Sequence, residues 1–244
     1  MIGTLINVVL ILAGCALGLL LRKGLPERLR SAVMQALGLA VIFIGISGTL
    51  EAVLTANADG SLSVNGTMCI VISMAVGGLL GSALGIERRL DQLGQFAERK
   101  MGSLAKGQGS VSKGFVTASL VYCVGAMAIV GSINSGIRGD HSMLITKGIL
   151  DGVSAIIFTS TLGIGVALSA LAVLVYQGAI SLLAGWLAPV LSTAMINGMS
   201  AVGGLLIVGI GLNMLYEDHH IPVGDLLPAI LIPLVYLPLT GLFA

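Results

Sequence analysis

The stretch that decides the fold is MLITKGILDGVSAIIFTSTLGIGVALSALAVLVYQGAISLL, residues 143–183, in which Lys147 and Asp151 are the sole charged residues. A helix needs ~20 apolar residues to cross a bilayer. This run is too long for one such helix and has almost no hydrophilic break, so it reads as two full helices or two half-helices. Ionised side chains at that depth are costly unless they pair or face water. A functional site is therefore expected around Lys147 and Asp151.

The rest of the chain agrees with a membrane setting. Of 244 residues, 56% are hydrophobic and 9% charged, and the net charge is +1; the mean hydropathy is +1.06. These values lie outside the soluble globular class. They predict an all-α polytopic transmembrane helical bundle of seven or eight spans, a single integral membrane domain over residues 1–244 with no room for a soluble one. Spans are expected near residues 2–21, 31–50, 67–86, 114–133, 143–160, 162–184, 191–215 and 226–243. The first 21 residues carry no charge, so they read as a transmembrane helix and not as a cleavable signal. Cys15, Cys69 and Cys123 fall in apolar segments without CxxC spacing, which suggests neither a disulfide framework nor a zinc site. The basic residues are explained by membrane insertion, and no nucleic-acid partner is implied.

Ten of the twelve Lys and Arg lie in two loops. Arg22, Lys23, Arg28 and Arg30 occupy the first; Arg88, Arg89, Arg99, Lys100, Lys106 and Lys113 the third. The positive-inside rule makes both cytoplasmic and puts the N-terminus outside. The loop at 51–66, with Glu51, Asp59 and no basic residue, suits the outside. Within the cytoplasmic segment 87–112, Leu90, Leu93, Ala97, Met101 and Leu104 recur at helical spacing beside a basic face, the pattern of an amphipathic helix on the inner leaflet. The acidic loop Glu217, Asp218, His219, His220 lies inside if residues 143–188 form two full helices, outside if they form a re-entrant pair. Its adjacent histidines read as solvated, and no metal site is expected.

Two internal matches suggest duplication. GTLINVVLILAGCALG from Gly3 and GTMCIVISMAVGGLLG from Gly66 share GTxxxVxxxxxGxxxG. A fainter match pairs Gly3 to Ala32 with Gly165 to Ala194 and sets Gln35 opposite Asn197. With eight spans, the first and sixth helices would cross in opposite senses, an inverted repeat of the kind secondary transporters use. Gly14 with Gly18, and Gly77, Gly81 with Gly85, allow close backbone approach in lipid, within the chain or between protomers of a homo-oligomer.

The polar inventory is short. GAMAIVGSINSGIRGDHS, residues 125–142, sets Ser132, Asn134, Ser135, Asp140 and His141 among glycines that weaken a helix, so a broken helix offering polar ligands is expected there. Lys147 and Asp151, at i and i+4, share a face and can neutralise each other, with Thr146, Ser154, Thr159, Ser160 and Thr161 nearby. Gln35, Gln177, Asn197 and Asn213 could line the same cavity. Pro222, Pro228, Pro233 and Pro238 must kink or interrupt the last span. Enzyme motifs are missing from the sequence, and neither a catalytic residue nor a cofactor is expected.

The strings GAMAIVGSINSGIRGDHSMLITKGILDG, SAIIFTSTLGIGV, SAVGGLLIVGIGLNML and LLPAILIPL, with LPERLR in the first loop, resemble the YdfK/YqgA family of uncharacterised bacterial inner-membrane proteins. The resemblance covers nearly the whole chain. It implies a multi-pass protein of the bacterial inner (plasma) membrane with a transport role, and it places Asn134, Gly136, Gly139, Asp140, Lys147, Asp151 and Gln177 in a recurrent polar pattern without assigning them roles. The expected function is a secondary transporter or channel for a small ion or polar solute. Asp151 would take a cation or coupling proton, Lys147 would hold or release its charge, and Asn134 and Ser135 would supply neutral ligands. The alternative is a non-transporting membrane scaffold in which Lys147 and Asp151 form a structural pair.

Overall fold

The computed structural model describes residues 1–22, 27–57, 59–101, 111–216 and 220–242, with the backbone alone at 27–30, 93–94, 97–98, 100–101 and 241–242. Lys23, Leu104, Lys106, Glu217, Asp218 and His219, and the side chains of Arg28, Arg30, Leu93, Ala97, Lys100 and Met101, lie outside what is described. The chain is a polytopic helical membrane protein. Seven described helices are long and apolar enough to cross a membrane, and a bent pair brings the number to eight.

The helices are α1 (Ile2–Arg22), α2 (Glu27–Val53), α3 (Thr67–Leu84), α4 (Ile86–Met101), α5 (Val111–Cys123), α6 (Ala126–Ile137), α7 (Ser142–Leu162), α8 (Ser169–Leu182), α9 (Ala184–Leu187), α10 (Thr193–Leu215), α11 (Val223–Leu226) and α12 (Ile232–Leu242). Turns of 3-10 helix at Ile164–Leu168 and Leu227–Leu231 lead into α8 and α12. An antiparallel hairpin, Leu54–Ala56 with Leu62–Val64, fills the loop after α2. By contacts the chain divides into two compact units, residues 1–37 with 88–190, and residues 38–87 with 191–244.

In the first unit, glycine contacts show the directions of α1, α5, α6, α7 and α8. A Cβ on Gly3 would meet Leu144, one on Gly14 the Gly152 carbonyl, and one on Gly18 the Ile156 carbonyl, so α1 and α7 run side by side in the same direction. The reverse holds for α8. Arg22 donates to the Thr161 carbonyl (3.3 Å) at the end of α7 that leads by way of a 3-10 turn into α8, while Gly178, further along α8, faces Met1. The pair α5 and α6 follows α8, because Gly165 abuts the Val111 backbone and Gly136 the Ser181 carbonyl. It therefore runs from the Arg22 end to the Met1 end, bent by 63°.

Parallel α1 and α7 are what the eight-span reading expects, in which α2, α3 and the bent pair count as three crossings between them. As the eight-span reading requires, α1 and α8 cross in opposite senses.

The break itself is narrower than the glycine content of residues 125–142 predicts. Only Val124 and Gly125 interrupt the path, and Gly125 has φ 121°, a region closed to side-chain-bearing residues. Residues 126–137 stay helical through Gly131 and Gly136, because those glycines serve packing: Gly131 receives Leu144, and Gly136 lies against the Ser181 backbone.

The second unit repeats the use of small residues with opposite polarity. Gly77 packs on the backbone of Ala229 and Gly81 on that of Asp225, so the duplicated glycine face of α3 meets an antiparallel partner. Gly85 is instead the left-handed cap of α3 (φ 59°). The glycine pairs considered for contact between protomers are thus used within the chain. The prolines act as expected: the last span is broken into α11, the 3-10 turn and α12, with Pro228 opening the turn and Pro238 inside α12. Where α4 begins, the Glu87 carboxylate accepts from the Gly224 amide (2.6 Å) and meets His220 Nε2 (2.6 Å), while Asp225 accepts from the Glu87 amide (2.8 Å). These reciprocal caps hold residues 220–225 beside Glu87.

Candidate functional site

Helix α7 has no proline, and its glycines at 148 and 152 face α1, where a Cβ would press on Asn7 and Leu10 at 3.0 Å. This close approach brings Lys147 and Asp151 against the first helix. Lys147 Nζ donates to both carboxylate oxygens of Asp151, at 2.8 and 2.7 Å. Both side chains are only 7% exposed. Asp151 is the tenth of the 21 residues of α7, so by length it sits near the middle of the crossing.

Asn7 completes the arrangement. It is fully buried, and its Nδ2 donates to Asp151 Oδ2 at 3.0 Å and to Gln177 Oε1 on α8 at 3.4 Å. Three helices thus converge on one polar chain, Lys147, Asp151, Asn7, Gln177. Two of its atoms, Asn7 Oδ1 and Gln177 Nε2, are buried without a hydrogen-bond partner among the described residues, as are Thr4 Oγ1 on α1 and Tyr122 Oη on α5. Tyr122 stacks on Phe158 of α7 with ring centroids 6.2 Å apart.

The structure thus brings Lys147, Asp151 and Gln177 together and distributes the other sequence candidates elsewhere. Ser135, expected to supply a neutral ligand, pairs with His141 Nδ1 at 2.9 Å, ahead of α7. Asn134 is half-buried on α6 and outside the polar chain. Asp140 is exposed and accepts from the Ser142 hydroxyl (2.6 Å) and amide (3.0 Å), a turn that starts α7. Those two bonds, the hydroxyl's first, hold Asp140 below the usual carboxylate value. Gln35 is exposed on α2, and Asn197 is half-buried in the second unit. Asn213 closes a turn by gripping both backbone groups of Ile221 (2.7 and 2.8 Å). Thr146 is exposed, while Ser154, Ser160 and Thr161 donate to carbonyls of their own helix. No group of three or more His, Cys, Asp or Glu able to hold a metal occurs among the described residues.

Asn7 was the residue that sequence reasoning passed over. Its signal lay in the repeat: where GTLINVV has Asn7, GTMCIVI has Ile70. An amide replacing an aliphatic side chain inside a duplicated span marks a buried polar demand.

Comparisons with known proteins agree with this architecture. Residues 2–237 match the family described as Protein of unknown function (DUF554). The chain is 33% identical over 234 residues to the "Uncharacterized membrane protein YdfK" of Bacillus subtilis, covering 96% of this chain and 94% of that one. It is 32% identical over 233 residues to the "Uncharacterized protein YqgA" of Escherichia coli, covering 95% and 94%. No solved structure matches. With the match running through α1, the bent pair, α7 and α8 alike, the chain belongs to the DUF554 family of multi-pass membrane proteins.

Proposed function

We propose that the protein is a secondary transporter of the bacterial inner membrane, moving a small ion or polar solute through a site built on Asp151, Lys147, Asn7 and Gln177. The observation that carries this reading is the pair of unpartnered buried atoms, Asn7 Oδ1 and Gln177 Nε2, beside a charged pair near mid-crossing. An unsatisfied buried polar atom costs about 1–3 kcal/mol. A purely structural lock gains nothing from such atoms, whereas a ligand site needs them in the unloaded state. Under this reading the enclosed pair, 7% exposed, is that of an occluded site, and solvent reaches it only in other states of the cycle.

That same enclosure supports a second reading, a membrane scaffold in which Lys147 and Asp151 only fasten α7. Flux assays in proteoliposomes separate the two. Under the transport reading, purified protein carries a small ion or solute and Asp151→Asn changes that flux severalfold or more. Flux unaffected by Asp151→Asn removes the site, and a folded protein without flux of any tested solute supports the scaffold.

A further inference from the structure

We infer that the Asp151 carboxylate occupies an anion cradle, so that the protein couples a proton, taken by Asp151, to a small planar monovalent oxyanion that replaces the carboxylate against Lys147. The inference rests on the transport reading and names its substrate class. Every hydrogen bond that Asp151 receives from the described residues comes from N–H: two from Lys147 Nζ (2.8 and 2.7 Å) and one from Asn7 Nδ2 (3.0 Å). Asn7 turns its oxygen away from the carboxylate, and that oxygen has no partner among the described residues. The Asn7 amide also touches Gln177, whose own Nε2 is fully buried and unpartnered, a spare donor joined to the cradle. A metal ion arriving at Asp151 meets an ammonium already seated on both oxygens and must compete with its like charge. A proton needs no coordination shell and can add to one oxygen directly.

Adding that proton turns the carboxylate into a carboxyl group, while Lys147 keeps its charge and loses its counter-ion. A buried, unpaired ammonium next to Asn7 Nδ2, which in turn adjoins Gln177, is then a site for an anion with two acceptor oxygens. Charge balances in both states: ammonium and carboxylate sum to zero, and so do ammonium, neutral carboxyl and bound monoanion. The loaded site crosses the membrane without moving net charge. The other titratable groups on the described helices packed against α7 are Cys15 on α1, Tyr122 and Cys123 on α5 and Tyr176 on α8, with the Met1 amine, Arg22, Lys113, Arg138, Asp140 and His141 at helix ends.

Nitrate, planar and not titrating near neutrality, serves as the probe, in thermal-shift titrations of purified protein against sodium gluconate at matched ionic strength. Nitrate should stabilise the wild type, with affinity rising about tenfold per pH unit as one proton is taken up between pH 8 and pH 5. Asp151→Asn, a mimic of the protonated acid, should bind nitrate with no pH dependence. Lys147→Gln should lose nitrate binding and Lys147→Arg keep it; should Lys147→Gln not fold, Gln177→Leu replaces it, with an expected loss of tenfold or more. Stabilisation by sodium or lithium at pH 8 that vanishes in Asp151→Asn overturns the anion assignment while leaving Asp151 as a transport site. Nitrate binding unchanged across Asp151→Asn, Lys147→Gln and pH overturns it also. Indifference to every ion tested, with flux untouched by Asp151→Asn, overturns this inference and the transport reading together.

Discussion

Replacing Lys147 by Met leaves the Asp151 carboxylate in a place where 7% of its side chain is exposed, with Asn7 as its remaining donor. Breaking a buried pair from one side costs about 3–5 kcal/mol, whereas replacing both partners by apolar groups of similar volume is often neutral or stabilising. Lys147→Met and Asp151→Leu should each destabilise by that amount. The double variant should recover most of it, giving a coupling of about 3 kcal/mol or more in a double-mutant cycle. With the unfolding entropy of a chain this long, the single variants should melt about 10 °C low. Differential scanning fluorimetry in one detergent, with circular dichroism to confirm helicity, reads all four proteins. Single variants that lose less than about 1 kcal/mol, the range of exposed pairs, would refute the reasoning, because the pair would then be hydrated. The cycle also separates roles: a double variant that regains stability but not flux shows that the charges serve more than the fold.

Further expectations follow from the packing. Gly14→Val should cost about 1–3 kcal/mol or abolish folded yield, since its Cβ would meet the Gly152 carbonyl and Ala155; Gly178→Ala, with its nearest neighbour Met1 Cε at 3.8 Å, should be neutral or slightly stabilising in the same melts. Gly125→Ala forces a side chain into φ 121° and should cost about 1–3 kcal/mol by thermal unfolding, although a Cβ there has open space around it. Asp140 has a lowered carboxyl pKa when folded, so its bonds to Ser142 contribute at neutral pH and are lost as pH falls through that lowered value, below the ordinary 3.8. Infrared titration should show a carboxylate band persisting below pH 3.8 that Asp140→Asn weakens, the remainder including Asp59, which Ser61 holds low in the same way.

Membrane class, helix content and the placement of most spans were legible in the chain because lipid forces every backbone polar group to be satisfied inside its own helix, so hydropathy alone marks the crossings. Expected spans at 67–86, 143–160 and 191–215 meet α3, α7 and α10 within two residues at each end. Lys147 and Asp151 stood out for the same reason, as charge is rare where water is absent. The break in the fourth span was visible as glycine content, but its position was not, because a glycine that unwinds a helix and one that admits a neighbour look alike in sequence. Gly125 does the first and Gly136 the second.

What sequence could not supply was the company the charged pair keeps. Asn7 lies 144 residues before Asp151 along the chain, and the two meet only because Gly14 and Gly18 on one helix and Gly148 and Gly152 on the other remove the side chains that would hold α1 and α7 apart. Hydropathy acts on each span separately and fixes that it crosses. Partners, direction and depth of contact come from the fit of one helix surface to another, which is a property of the folded bundle alone.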